Sequence, residues 1–178
     1  DRDGNFRHVN DKFYELMEEG LNVSRLKIYI SMLLESTETK PEMASELAEL
    51  KKIGKNIGSI ITTNYDRFIE SFLNFIPLVG NDILLSNPYG AVYKIHGCIT
   101  DPTKIILTDS DYDRFNKNYE LIRAQLLSLF IHNPIVFIGY SVCDQNIKSL
   151  LKTVFSYVDS NSELAKRIKN NFLLVEYE

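Results

Sequence analysis

Three short segments place chemically useful side chains at the ends of apolar runs. Ile60-Ile61-Thr62-Thr63-Asn64-Tyr65-Asp66 ends in two hydroxyls, an amide and a carboxylate. Val92-Tyr93-Lys94-Ile95-His96-Gly97 ends in an imidazole and a glycine. Ile135-Val136-Phe137-Ile138-Gly139-Tyr140-Ser141 ends in a glycine and, two residues later, a serine hydroxyl. Each apolar run reads as a buried strand, and in open α/β sheets ligands bind outside the carboxyl ends of the strands. Polar groups at such ends are costly to bury without partners. Asn64, His96 and Ser141 brought to one rim would form a site for a polar ligand.

The chemistry open to each residue differs. An imidazole with an ordinary pKa near ~6.5 takes up a proton at neutral pH, so His96 suits a general base. Gly97 beside it admits the close approach of a backbone or a ligand. Gly139-Tyr140-Ser141 lies between a strand and a helix, where small residues let a phosphate or ribose rest against backbone N–H groups. Structural roles compete with these. Asn64 or Asp66 equally serves to cap the helix that follows, and Asp144 to cap its own. An isolated histidine is commonly a satisfied core residue; His8 and His132 sit in helical contexts and carry no assigned role. Cys98 and Cys143 read as packing residues, because no third group is placed to orient a thiol nucleophile.

Bulk properties narrow the classes. The chain has 178 residues, 44% hydrophobic and 25% charged, which suffices for one domain with its own core. A formal charge of −4 argues against a large electrostatic footprint for nucleic acid. No apolar run approaches the roughly 20 residues that span a bilayer, and no signal peptide opens the chain. Two cysteines give neither a disulfide framework nor a Cys-x-x-Cys zinc pattern, so a reducing cytoplasm is the default compartment. Asp1 stands where a Met would begin a chain, which reads as a piece of something longer.

The elements that must position these residues follow from periodicity. Phe6 to Glu19 has helical spacing, with Gly20 as its stop. Ser24 caps a second helix, Glu35 to Lys40 is a loop, and Pro41 opens a third helix that ends over Gly54 to Gly58. A strand is expected at Ser59 to Thr63 and a helix at Arg67 to Phe75. Ile83-Leu84-Leu85 reads as an edge strand, and Asn87-Pro88-Tyr89-Gly90 as a turn. A strand from Ala91 to His96 and a loop from Gly97 to Lys104 come next. Tyr112, Phe115, Tyr119, Ile122, Leu126, Leu127 and Phe130 mark one helical pattern that Asn133-Pro134 ends. Ile135 to Gly139 is a strand, Ile147 to Phe155 a helix, residues 159–171 a short helix or loop, and Phe172 to Val175 a last strand. The expected fold is therefore α/β: three layers, a mainly parallel sheet of Rossmann-like type with helices on both faces, and a helical N-terminal portion. One domain is expected over 1–178, with residues 1–58 mostly helical and 59–178 Rossmann-like.

The three segments also resemble, in order and spacing, the motifs of sirtuin-like domains. Thr-Thr-Asn-Tyr-Asp resembles that family's Thr-Gln-Asn-Ile-Asp, Lys-Ile-His-Gly its catalytic His-Gly, and Gly-Tyr-Ser its Gly-Thr-Ser. Leu-Thr followed by Asp-Tyr between Ile105 and Phe115 looks like the bacterial branch, whose members are typically NAD+-consuming effectors of antiphage defence. The resemblance covers about Ile60 to Glu178. It implies that Asn64 holds the nicotinamide ribose and positions a water, and that His96 acts as general base. It implies too that Asp66 faces the carboxamide, that Thr62 and Thr63 line the cofactor site, and that Gly139 and Ser141 contact phosphates or the adenine ribose. The reaction implied is hydrolysis of the nicotinamide–ribose bond, with NAD+ as substrate and no zinc. The implied partners are NAD+, other domains or subunits of a larger protein, and further copies of the chain, with no membrane and no direct nucleic-acid contact.

Two departures qualify that picture. The zinc-binding cysteines of protein-deacylating sirtuins are absent, which disfavours deacylation. The family's Gly-rich strand–loop–helix, which wraps the pyrophosphate, has no counterpart before Ile60, so the cofactor pocket of this segment taken alone is expected to be incomplete. A non-catalytic NAD+ or ADP-ribose sensor and an oligomerisation scaffold are the alternative readings.

Overall fold

The apolar runs form short parallel strands in the computed structural model, which describes residues 2–36, 38–85, 89–140, 144–156 and 161–175. The chain divides into two compact units, Asp1–Asp111 and Tyr112–Glu178.

The first unit begins with helices α1 (Arg2–Glu18), α2 (Arg25–Glu35) and α3 (Ala44–Ile53). Val9, Leu16, Val23 and Ile28 form a buried cluster between α1 and α2, flanked by Phe13 and Met32. Gly20 ends α1 with φ +76, and the Leu21 and Gly20 N–H groups donate to the carbonyls of Leu16 and Met17 at 2.9 and 3.0 Å. That double bond is a Schellman cap, which needs the left-handed backbone that glycine adopts without strain. The Ser24 hydroxyl accepts from the Lys27 N–H at 3.2 Å and starts α2, as the sequence suggests.

Strands β1 (Ser59–Thr62), β2 (Ile76–Val79) and β3 (Ala91–Lys94) make a three-stranded parallel sheet in the order β1-β3-β2, with α4 (Phe68–Leu73) between β1 and β2 in the chain. Every residue of the central strand β3 is buried. A parallel strand covered on both faces is expected to be apolar throughout, which makes Lys94 at its end conspicuous.

Two expectations need correction. Ile83-Leu84-Leu85 is not the edge strand but part of a 3₁₀ turn over Gly80–Leu85; Ile83 is buried while Leu84 and Leu85 are exposed, one anchor rather than a strand's alternation. The edge strand is Ile76–Val79, where Pro77 is tolerated because an edge has unpaired positions. The single helical pattern expected through Tyr112 to Phe130 is two helices, α5 (Asp109–Asn118) and α6 (Glu120–His132), broken at Tyr119 with φ −116 and ψ 30. Apolar spacing records a face and does not register a one-residue break. The turn expected at Asn87 to Gly90 falls partly outside the described residues.

In the second unit, β4 (Ile135–Ile138) and β5 (Phe172–Val175) pair in parallel, Ile135 against Phe172 through Ile138 against Val175. Phe172 packs against Phe130, Phe137 and Phe155. Helices α7 (Gln145–Ser156) and α8 (Glu163–Asn170) complete it. The Asp144 carboxylate caps α7, accepting from the N–H groups of Asn146 and Ile147 at 2.9 and 3.0 Å. The class is thus α/β of Rossmann-like type, with every described strand pairing parallel and a helical N-terminal part. Among the described residues no helix is long and apolar enough to cross a membrane.

Candidate functional site

Asn64 and His96 are set by the register of β1 and β3. Thr62 pairs with Lys94, and the Ile95 N–H donates to the Thr62 carbonyl at 3.1 Å, one step past the last pair. Asn64 and His96 each lie two residues beyond that pair, so both stand at the carboxyl end of neighbouring parallel strands. Strands so paired are about 4.8 Å apart.

The chain turns sharply at each position. The Thr62 hydroxyl accepts from the Asn64 N–H at 3.1 Å, and the Asp66 carboxylate accepts from the Phe68 N–H at 2.8 Å as α4 begins. Neither Asn64 nor Asp66 is the N-cap of α4, which is Arg67, but the Asp66 carboxylate meets the first N–H of the helix; Asn64 is exposed and Thr62, Thr63 and Asp66 are half-buried. On the β3 side the Gly97 N–H donates to the Lys94 carbonyl at 3.1 Å, closing a turn with His96 inside it. His96 is 4% exposed, and its carbonyl accepts from the Ile106 N–H at 2.9 Å. Gly97 has φ +93, and a Cβ there would lie 2.5 Å from the Lys104 carbonyl oxygen. The close approach that glycine permits is that of backbone.

Two further bonds lace the turns together. The Tyr65 hydroxyl donates to the Ile106 carbonyl at 2.7 Å, and the Tyr65 carbonyl accepts from the Ile99 N–H at 2.9 Å. Beneath them lies a buried ion pair. Lys94 Nζ is 3.0 Å from Glu70 Oε1, with the side chains 1% and 2% exposed, and also donates to the Asp66 carbonyl. Sequence reasoning gave no role to Lys94, Glu70 or Tyr65. A lysine within an apolar run was the signal for the pair; nothing in the sequence announced the Tyr65 brace.

A second ion pair supports the segment after His96. Lys27 Nζ is 2.7 Å from Asp111 Oδ1, and Asp111 Oδ2 accepts from the Leu107 and Thr108 N–H groups. Burial opposes ionisation of Asp111, but the Lys27 ammonium and the Thr108 and Leu107 donors outweigh it and hold the carboxyl well below the usual carboxylate range.

An open cleft of about 310 Å³, lined by Arg67, Val79, Asp82, Cys98, Asp101 and Lys104 among others, lies along the same loops, but neither Asn64 nor His96 lines it. Its Lys104 ammonium is 3.1 Å from Asp101. Partial burial opposes ionisation of Asp101, and the hydrogen bonds from Thr103 and Lys104 more than compensate and lower its pKa. Opposed charges already in contact make it a poor match for an anionic ligand, and the strand ends are the better candidate.

Gly139 ends β4 in the second unit with φ +59, and a Cβ there would meet nothing within 4 Å, so its requirement for glycine is conformational. Ser141 and Cys143 lie outside the described residues. Among the described residues no group of three or more His, Cys, Asp or Glu side chains is placed to hold a metal ion.

Comparison with known proteins adds a family. Residues 58–176 match the model of the SIR2-like domain. The chain is 30% identical over 113 residues to defense-associated sirtuin 2 of Bacillus subtilis, across 58% of this chain and 11% of that protein. It is 32% identical over 101 residues to the NAD(+) hydrolase ThsA of Cytobacillus dafuensis, across 52% of this chain and 20% of that one. With the NAD(+) hydrolase ThsA of Enterococcus faecium the identity is 28% over 126 residues, across 63% and 26%. The alignments thus span 11% to 26% of the lengths of these relatives.

Proposed function

This chain belongs to the SIR2-like domain family, and from that premise we propose that Asn64 and His96 form the centre of a site that hydrolyses NAD+. The observation that carries the reading is their placement at the same end of adjacent parallel strands, fixed by the Thr62–Lys94 register. In this reading the bond from the ribose C1′ to the nicotinamide nitrogen breaks, and nicotinamide leaves with the electron pair as a neutral molecule. The ribose becomes oxocarbenium-like, a water adds at C1′, and His96 takes that water's proton, giving ADP-ribose. Asn64 holds the ribose and aims the water. Fixed dipoles beneath a developing cation lower its energy without reorganising, which is where such a site gains its rate. Asp66 faces the carboxamide, Thr62 and Thr63 line the ribose side, and Gly139 and Ser141 serve the phosphates or the adenine ribose.

The names of the relatives support the same reaction, two of them being NAD(+) hydrolases and one defense-associated. The proposal extends to a cytoplasmic effector of antiphage defence in which 1–178 acts as one domain beside other modules. Binding without turnover is the second reading, favoured by the burial of His96, which leaves little ring surface for a substrate. Nicotinamide release by the intact protein separates the two. The enzyme reading expects release that both His96→Ala and Asn64→Ala reduce; the sensor reading expects a rise in melting temperature with NAD+ and no nicotinamide.

A further inference from the structure

We propose that Lys94 is a positioning residue for turnover at the Asn64–His96 strand ends, an inference that rests on the reading of those two residues given above. Lys94 is the last residue of β3, two before His96, and its ammonium reaches across to the Asp66 carbonyl, two residues after Asn64. It is thus a side-chain link between the two turns that carry the candidate groups. Glu70 on α4 holds the ammonium in place from 3.0 Å, and neither of its carboxylate oxygens has a hydrogen-bond partner among the described residues. On the Glu70 side the contact therefore lacks the added hydrogen bonds that make buried pairs strongly favourable, and the one extra hydrogen bond of the pair among the described residues is that from Lys94 to the Asp66 carbonyl.

That geometry separates positioning from stability. Taking two charges out of water is expensive, and apolar residues of similar volume often replace a buried pair with no loss of stability. A pair kept for the fold alone would be better served by two apolar side chains at 1% and 2% exposure. What an apolar pair cannot do is donate to the Asp66 carbonyl and hold the Asn64 turn against β3. Misplacement of a reacting group by about 1 Å costs on the order of a hundredfold in rate.

The test uses Lys94→Met with Glu70→Gln, which keeps both shapes and leaves no buried charge. The double variant is expected to melt within a few degrees of wild type while kcat for nicotinamide release falls about 10²-fold and KM changes little. Backbone amide exchange over Asn64 to Phe68 is expected to speed up, with β3 still protected. A stable double variant with wild-type kcat and wild-type exchange overturns the proposal. If wild type itself releases no nicotinamide, the NAD+ reading falls and exchange alone judges Lys94: faster exchange in the Asn64 turn upholds the tether, unchanged exchange overturns it. Lys94→Met with Glu70→Leu stands in if the first variant does not fold, with the same expectations. Failure of both to fold makes the pair a requirement of the fold and overturns the positioning role.

Discussion

Gly97 has no room for a side chain at the site. A methyl group there would meet the Lys104 carbonyl at 2.5 Å and the Ile105 Cα at 2.8 Å, and a φ of +93 is itself strained for any other residue. Neither contact is the end of a flexible side chain, so the loop after His96 must move. Gly97→Ala is expected to destabilise the protein by about 2–3 kcal/mol, read by urea unfolding. By contrast Gly139→Ala meets open space and carries only the cost of its positive φ, about 1 kcal/mol. His96 and Asn64 were legible as polar residues ending apolar runs. Their adjacency was not, because register depends on which strands pair, and β3 pairs with both β1 and β2. Lys94 was legible in hindsight only: a lysine in an apolar run marks a buried cation, but its partner Glu70 lies 24 positions away on a helix whose start was itself misplaced by a residue.

Between elements, the Lys27–Asp111 pair joins α2 to the start of α5 and steadies the segment that runs back from the His96 turn. The folded-state pKa of Asp111 lies below the unfolded value near ~3.9. As pH falls the unfolded chain takes up the proton first, so this contribution is fully present above that value and is lost as pH drops through the folded pKa. Asp111→Asn is expected to flatten the acid limb of a plot of melting temperature against pH. It also leaves Lys27, 8% exposed, without its carboxylate, at a cost of about 3–5 kcal/mol at neutral pH. A melting temperature at pH 7 equal to wild type would show that the pair does not hold the segment. Ser24→Ala is a milder case: loss of the α2 cap is expected to cost about 1 kcal/mol, measured by chemical denaturation. Caps and stops such as Ser24, Gly20 and Asp144 were readable because their geometry is local. The missed elements were those decided elsewhere: β2 is a strand because β3 offers it an edge, and the α5–α6 break leaves no mark in the apolar period.

For the molecule as a whole, belonging to the SIR2-like family makes NAD+ the ligand to test, and the site proposed at the ends of β1 and β3 makes hydrolysis the reaction to test. Binding alone is separable from chemistry: ligand at about 100 times its Kd stabilises the folded state by about 2.7 kcal/mol whether or not it is cleaved. Wild type and His96→Ala are expected to show similar thermal shifts with NAD+, since removal of a general base spares most ground-state contacts. The measurement that bears most directly on the central claim is the rate of nicotinamide release from NAD+ by the intact protein, wild type beside His96→Ala and Asn64→Ala. The expected result is steady release by wild type and a fall of about 10²-fold or more in each variant, the scale of a lost general base or a lost orienting group. Wild-type turnover in either variant, with both proteins folded, would contradict the assignment of the site to these two strand ends.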